Sequence, residues 1–299
     1  PYVKRVIDLG VKYGVNELHM MHVISKHGVQ LPTADEAPQI NELAAYCHKN
    51  GMTAFMWTHE LCGIPPEFVK DGLVDLDNPG LYVALTERYN KLFDSLPELD
   101  GIVLTLRESD VNVQDAHRVD TETKPAERVR KIVVAINDVC KERKKTLYVR
   151  DFSVEPKEME NIIEAMSALP EDVKAETKWV ARDWHQVGPF NPALGRYGNR
   201  EQIVEFDLGN EYFGHAQTPY AVVSEIMQAW KHAYPKGVIG AVGTVLGSHG
   251  VNINTMGVGH KLDQGKAILA FSLDKTPDEK AAAELAALEF VNEIYICKL

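Results

Sequence analysis

Six short apolar or β-branched runs before residue 215 end in charged or aromatic residues, and stretches of helical period separate most of them. The clearest is GIVLTLRESD (101–110), which stays apolar or β-branched after Gly101 and turns polar at Arg107, Glu108, Ser109 and Asp110. A run of that kind reads as a buried parallel strand that delivers polar groups to one rim of a sheet. The others are VNELHMM (15–21), MTAFMWTHE (52–60), TLYVRDF (146–152), AETKWVARDW (175–184) and QIVEFDLGNEYFG (202–214). Helical patterns fill 2–13, 37–50, 79–96, 124–144, 156–169 and 219–234, with Gly14 and Gly51 as stops after the first two. This alternation is the signature of parallel βαβ units.

Polar and aromatic side chains gather at the strand ends, which favours a TIM (β/α)8-type barrel over an open doubly wound sheet. The pattern starts with a helix, so the first barrel strand is missing from it and the expected barrel is incomplete. An open sheet would need the C-terminal segment or another chain to cover it, so a homo-oligomer is one expectation.

The formal charge of −11 argues against nucleic acid and against an anionic membrane surface as partners. No run of about 18 or more apolar residues is present to span a membrane. No signal-peptide n-region or h-region follows Pro1, and the expectation is a cytoplasmic protein. Cys47, Cys62, Cys140 and Cys297 are scattered without ligand-like spacing and read as free thiols. His19 and His22 form an HxxH pair with no third ligand nearby, so neither a metal nor any other cofactor is expected.

Three acids stand at strand ends: Glu108, Asp183 and Glu211. Glycoside hydrolysis needs a carboxylic acid to protonate the leaving oxygen and, for inversion, a carboxylate to activate water on the opposite face. A second carboxylate beside that base would raise its basicity. Trp57, His59 and Trp184, also at strand ends, suit a sugar-binding wall, with core packing an equal reading for Trp57. For Glu108 the alternative is an ordinary rim ion pair with Arg107. Lys178 and Arg182 read as solvated rim charges.

At these residues the chain resembles the inverting α-glucuronidases that trim 4-O-methylglucuronate from xylan side chains. GIVLTLRES is similar to the strand carrying that family's general acid, which falls on Glu108. VARDWHQVGPFNPALG (180–195) and NREQIVEFDLGNEYFGHA (199–216) resemble the segments of its base pair, which fall on Asp183 and Glu211. Arg150 matches a family arginine that could pair bidentately with a uronate carboxylate. The lysine that the family places four residues before the acid is Leu104 here. The resemblance covers roughly residues 1–236 and implies a barrel catalytic domain with a carbohydrate substrate.

Residues 237–299 carry a second resemblance, to the ACT regulatory domain of D-3-phosphoglycerate dehydrogenases. It rests on GVIGAVGTVLGSHGVNINTMGVGH, KAILAFSLD, a helical stretch near 278–288 and VNEIYICKL. The order would be helix, strand, strand, helix, strand, a ferredoxin-like sheet lacking its first strand, and the family's effector-binding Asn falls on Asn252. GAVGTVLG is not a dinucleotide fingerprint, because its glycines do not follow G-x-G-x-x-G.

The expected function is therefore an α-glucuronidase-type glycoside hydrolase (residues 1–236) acting on an oligosaccharide derived from plant polysaccharide, followed by an ACT-like segment (237–299). The alternative is a non-catalytic regulatory protein that senses an amino acid through that segment.

Overall fold

The computed structural model describes residues 2–25, 28–29, 31–153, 155–180, 190–198, 200–205, 228, 231–233, 236, 253–261, 266–273, 276–287 and 294. The chain divides into two compact units: residues 17–49 with 53–239, and residues 1–16, 50–52 and 240–299.

The larger unit begins with β1 (Glu17–Ser25), whose edge carries the two-residue antiparallel strand β2 (Gly28–Val29). After helix α2 (Glu36–Lys49) comes β3 (Thr53–His59). The connection onward holds two short strands, β4 (Val69–Lys70) and β5 (Leu73–Asp75), before α3 (Pro79–Ser95) and β6 (Gly101–Thr105). A further short strand, β7 (Val119–Asp120), precedes α4 (Pro125–Glu142). Then follow β8 (Thr146–Arg150), α5 (Pro156–Ser167), β9 (Lys174–Lys178) and β10 (Gln202–Glu205). Strands β1, β3, β6, β8, β9 and β10 are parallel neighbours in chain order. A doubly wound sheet would reverse that order at its switch point. This is the singly wound arrangement of half a barrel.

Side-chain contacts show that the sheet curls. His19 on β1 lies four strand steps from β9, about 19 Å in a flat sheet at the usual strand spacing. Yet His19 Nδ1 is 3.5 Å from Glu176 Oε2 on β9. The sheet must roll to bring them together, as in a barrel.

Local sequence explains the helix boundaries. Proline occupies the first turn of α3, α4 and α5, where its missing N–H costs nothing. Asn78 caps α3 by accepting from Gly80 N, and Glu155 with Glu158 forms a capping box on α5. Val129, Ile132, Val133, Ile136 and Val139 are all buried along α4, the face that the apolar spacing predicts. Arg200 closes the other end of α5, donating to the carbonyls of Met166, Leu169, Pro170 and Val173.

Strand alternation sorts the sheet into two faces. Phe55, Val103 and Tyr148 form an inner cluster with Trp57 and Ile203 against it. Ile102, Leu104, Leu147 and Val149 take the opposite parity and are fully buried on the helix side. Leu104 is aligned with Thr58 and Val149, so the position of the family's uronate lysine does not line the inner face here. Gly101 is required at the base of β6: an added Cβ would overlap the Thr146 carbonyl oxygen on β8.

The short strands form a second sheet in the order β4-β5-β7, which the sequence reading does not contain. Its parallel β5–β7 pair ties the β3→α3 connection to the β6→α4 connection.

In the smaller unit, α1 (Tyr2–Lys12) is followed by Gly14 at φ +79, the left-handed stop expected there. Farther on, β11 (Ile253–Lys261) pairs antiparallel with β12 (Lys266–Leu273). Helix α6 (Glu279–Ala286) follows, capped by Asp278 through Ala281 N.

Candidate functional site

The inner positions at the carboxyl ends of four strands converge. Trp57 comes from β3, Arg150 from β8, Lys178 from β9 and Glu205 from β10. Arg150, 5% exposed, donates from Nε and Nη2 to the two Glu205 oxygens at 2.6 and 2.9 Å. Its guanidinium carbon lies 4.8 Å from the Trp57 ring centre and 4.7 Å from that of Phe152. Lys178 Nζ stands 3.6 Å from Glu205 Oε1 and 5.3 Å from the Phe152 ring centre. Burial opposes a charge on Glu205, but the Arg150 hydrogen bonds and charge, with Lys178 adding, outweigh it and hold its pKa below the usual carboxylate range.

Glu108 reaches this group from the loop after β6, with Oε2 3.6 Å from Arg150 Nη1. That separation is an ion pair but not a hydrogen bond, and Arg150 Nη1 is buried with no hydrogen-bond partner among the described residues. Glu108 itself has φ +59, an uncommon conformation for a residue with a side chain. The surrounding loop can impose it because it is well braced. Val111 N donates to Leu61 O, Gly63 N to Asp110 Oδ2, and Arg118 to Asp110 O. Beneath it, the fully buried Glu60 accepts from Arg88 at 2.8 Å, Tyr89 at 2.7 Å and Leu61 N at 2.9 Å.

A second polar layer lies deeper in the half-barrel. His19 sits between Glu17, 3.3 Å from its Nε2, and Glu176, 3.5 Å from its Nδ1, and it packs against Phe55 and Tyr148. The Tyr148 hydroxyl donates to Glu17 at 3.2 Å. Burial pushes the Glu176 carboxyl up to about 7, with the Glu205 charge adding and His19 and Arg150 opposing. On the other face, burial raises Asp151 to about 7 although it accepts from Thr177 and Tyr197 at 2.5 and 2.6 Å.

Of the residues singled out from sequence, Glu108, Arg150 and Trp57 are brought together. His59 lies nearby and turns its Nδ1 to the Arg107 carbonyl at 3.1 Å. Asp183, Trp184, Glu211 and Asn252 lie outside the described residues. Arg107 pairs with Glu158 at 3.3 Å and Glu108 with Arg150, so the rim pair between neighbours is not formed. Lys178 corrects the sequence reading: it is 4% exposed and not a solvated rim charge. Glu205, Glu176 and Phe152 were missed as site residues. Parity counted from Tyr148 and Arg150 does not reach the first two, because Glu205 lies on β10 and Glu176 on β9 and the register between the strands is set by the fold.

Cys47, Cys62 and Cys140 are buried free thiols, and Cys297 lies outside the described residues. Among the described residues no three His, Cys, Asp or Glu side chains are grouped to hold a metal ion. No helix among them is long and apolar enough to cross a membrane.

No protein-family model matches the chain. It is 38% identical over 68 residues to a D-3-phosphoglycerate dehydrogenase of Synechocystis sp., covering 23% of this chain and 12% of that protein. It is 36% identical over 63 residues to D-3-phosphoglycerate dehydrogenase 2 of Arabidopsis thaliana, covering 21% and 10%. The chain thus spans about a tenth of the length of the curated relatives it matches. Among solved structures it is similar to a β-N-acetylhexosaminidase from Bacteroides fragilis, at TM-score 0.41, 13% identity and coverage of 59% and 41%. It is also similar to the D-psicose 3-epimerase of Clostridium cellulolyticum, at TM-score 0.47, 15% identity and coverage of 80% and 78%. The old yellow enzyme homologue of Zymomonas mobilis matches at TM-score 0.50 and 9% identity, with 77% of this chain and 76% of that one covered. This last likeness, at so low an identity, is one of fold: a parallel α/β sheet wrapped by helices.

Proposed function

We propose that residues 1–236 are the catalytic part of an inverting glycoside hydrolase of α-glucuronidase type. Glu108 is the general acid, Asp183 and Glu211 form the base pair, and the substrate is an oligosaccharide derived from plant polysaccharide. The observation that carries this reading is the convergence of Glu108, Arg150, Lys178, Glu205 and Trp57 at the carboxyl end of a curled, singly wound parallel sheet. That rim is where enzymes on such sheets keep their chemistry. Glu108 has a solvent-accessible carboxyl, 47% exposed, on a braced loop. It can therefore meet a glycosidic oxygen, while the buried ion pairs behind it keep their places.

The test is hydrolysis by the Glu108→Gln variant. Turnover of glycosides with poor leaving groups should disappear, while activated aryl glycosides, which need no proton, retain a measurable rate. Unchanged turnover rejects the assignment. Proton NMR of the first-formed sugar should show inversion, in keeping with carboxyl groups about 6.5–9.5 Å apart across the mouth.

A second reading is regulatory, with an amino acid sensed through residues 237–299, including Asn252. The short matches to D-3-phosphoglycerate dehydrogenases favour it. Calorimetric titration with serine and a panel of other amino acids tests it, and no heat across the panel removes it.

A further inference from the structure

We propose that Glu205 determines specificity: it occupies the fork of Arg150 that a ligand carboxylate would need, and so sets the mouth to take a neutral polyhydroxyl ring in preference to a uronate. The proposal rests on the reading of this mouth as the carbohydrate site of an inverting hydrolase, and it departs from the α-glucuronidase type in substrate class, which becomes a neutral glycoside.

Arginine binds a carboxylate most strongly through two parallel N–H groups. In Arg150 two N–H directions, Nε and Nη2, are already committed to Glu205 at 2.6 and 2.9 Å. The guanidinium cannot easily turn to offer another edge, because Trp57 and Phe152 lie 4.8 and 4.7 Å from it. What remains is Nη1, buried without a hydrogen bond among the described residues and 3.6 Å from Glu108 Oε2.

A donor and an acceptor at that spacing do not satisfy each other, but one group can satisfy both. A sugar hydroxyl accepts from Nη1 and donates to Glu108 at the same time. A carboxylate only accepts, and beside Glu108 it would meet like charge. Among the described residues of the mouth, Arg150 and Lys178 face Glu205 and Glu108, so no cation is left over to neutralise an incoming anion.

Calorimetry on the full chain at pH 7.5 tests this with methyl α-D-glucopyranoside and sodium methyl α-D-glucopyranosiduronate. The wild-type protein should bind the neutral glycoside about tenfold or more tightly than the uronate, the order set by disturbing one buried ion pair. In Glu205→Gln, checked for native circular dichroism, the ratio should move about tenfold toward the uronate because Arg150 is no longer neutralised. If that variant does not fold, the wild-type comparison decides alone. Equal or tighter wild-type binding of the uronate overturns the proposal, and so does binding of neither glycoside. Hydrolysis is read separately: selective binding without turnover sinks the enzyme reading and leaves the role of Glu205 intact.

Discussion

Arg150 and Glu205, two strands apart on one sheet, are joined through both carboxylate oxygens, with Arg150 almost wholly and Glu205 largely out of solvent. A buried pair of this kind is costly to break from one side, because the partner is left charged and unsolvated. Arg150→Met should therefore destabilise the protein by about 3–5 kcal/mol. The double variant Arg150→Met/Glu205→Leu should recover part of that loss, since neither member of the pair stays buried and charged, while buried Lys178 loses the Glu205 carboxylate 3.6 Å away. Urea denaturation of the two variants checks both statements, and a double variant no more stable than Arg150→Met contradicts them.

Glu108 holds φ +59 at the point where catalysis is proposed. A left-handed conformation costs a residue with a Cβ about 1–2 kcal/mol, and glycine escapes that cost while losing more entropy on folding. The two effects nearly cancel. Glu108→Gly should fold within about 0.5 kcal/mol of wild type, whereas the β-branched Glu108→Val should lose about 1–2 kcal/mol. Neither should hydrolyse glycosides with poor leaving groups. Thermal unfolding and a turnover assay on the same preparations separate strain from chemistry.

Asp151 and Glu176 both titrate near 7 in the folded chain, above their ordinary values of 3.8 and 4.5. A raised folded-state pKa means that the native protein holds the proton more tightly than the unfolded chain does. Stability from these groups is full below about pH 4 and is lost as pH rises toward and through 7. Each contributes a slope of at most about 1.4 kcal/mol per pH unit. Denaturant midpoints at pH 5, 6, 7 and 8 should fall with rising pH, and Asp151→Asn should flatten the profile. The same slope in that variant would show that Asp151 is not the titrating group.

Most of the parallel strands were legible because they couple an apolar run to an abrupt polar end, whereas β9 (KAETK) carries charge along its length. Helices α3, α4 and α5 were bounded to within about two residues by proline and apolar spacing. The second sheet was not legible, since β4, β5 and β7 have two or three residues each and no periodicity can show in so short a run. At the site, Glu108 and Arg150 stood out as charges ending apolar runs. The pairing of Arg150 with Glu205 did not, because it joins residues 55 apart across an intervening strand. Lys178 was misjudged for a related reason: its charge suggested solvent, while its inward parity and the carboxylate across from it decide its burial.

Gly101 ties the sequence pattern to the packing most directly. At the first residue of β6 an added methyl group would overlap the Thr146 carbonyl oxygen and press on Phe55 Cε1 at 2.8 Å. Backbone on the far side cannot yield without parting β6 from β8, whose register begins at this pair. Gly101→Ala should therefore cost about 3 kcal/mol, the upper range for overpacking, although alanine is otherwise the milder residue in a strand. The damage should reach the mouth, because β6 leads to Glu108 and β8 carries Arg150. Hydrogen exchange should show amides of β6 and β8 losing protection ahead of those in α2. A variant that keeps wild-type protection across both strands would mean that the β6–β8 contact is not as close as these positions require.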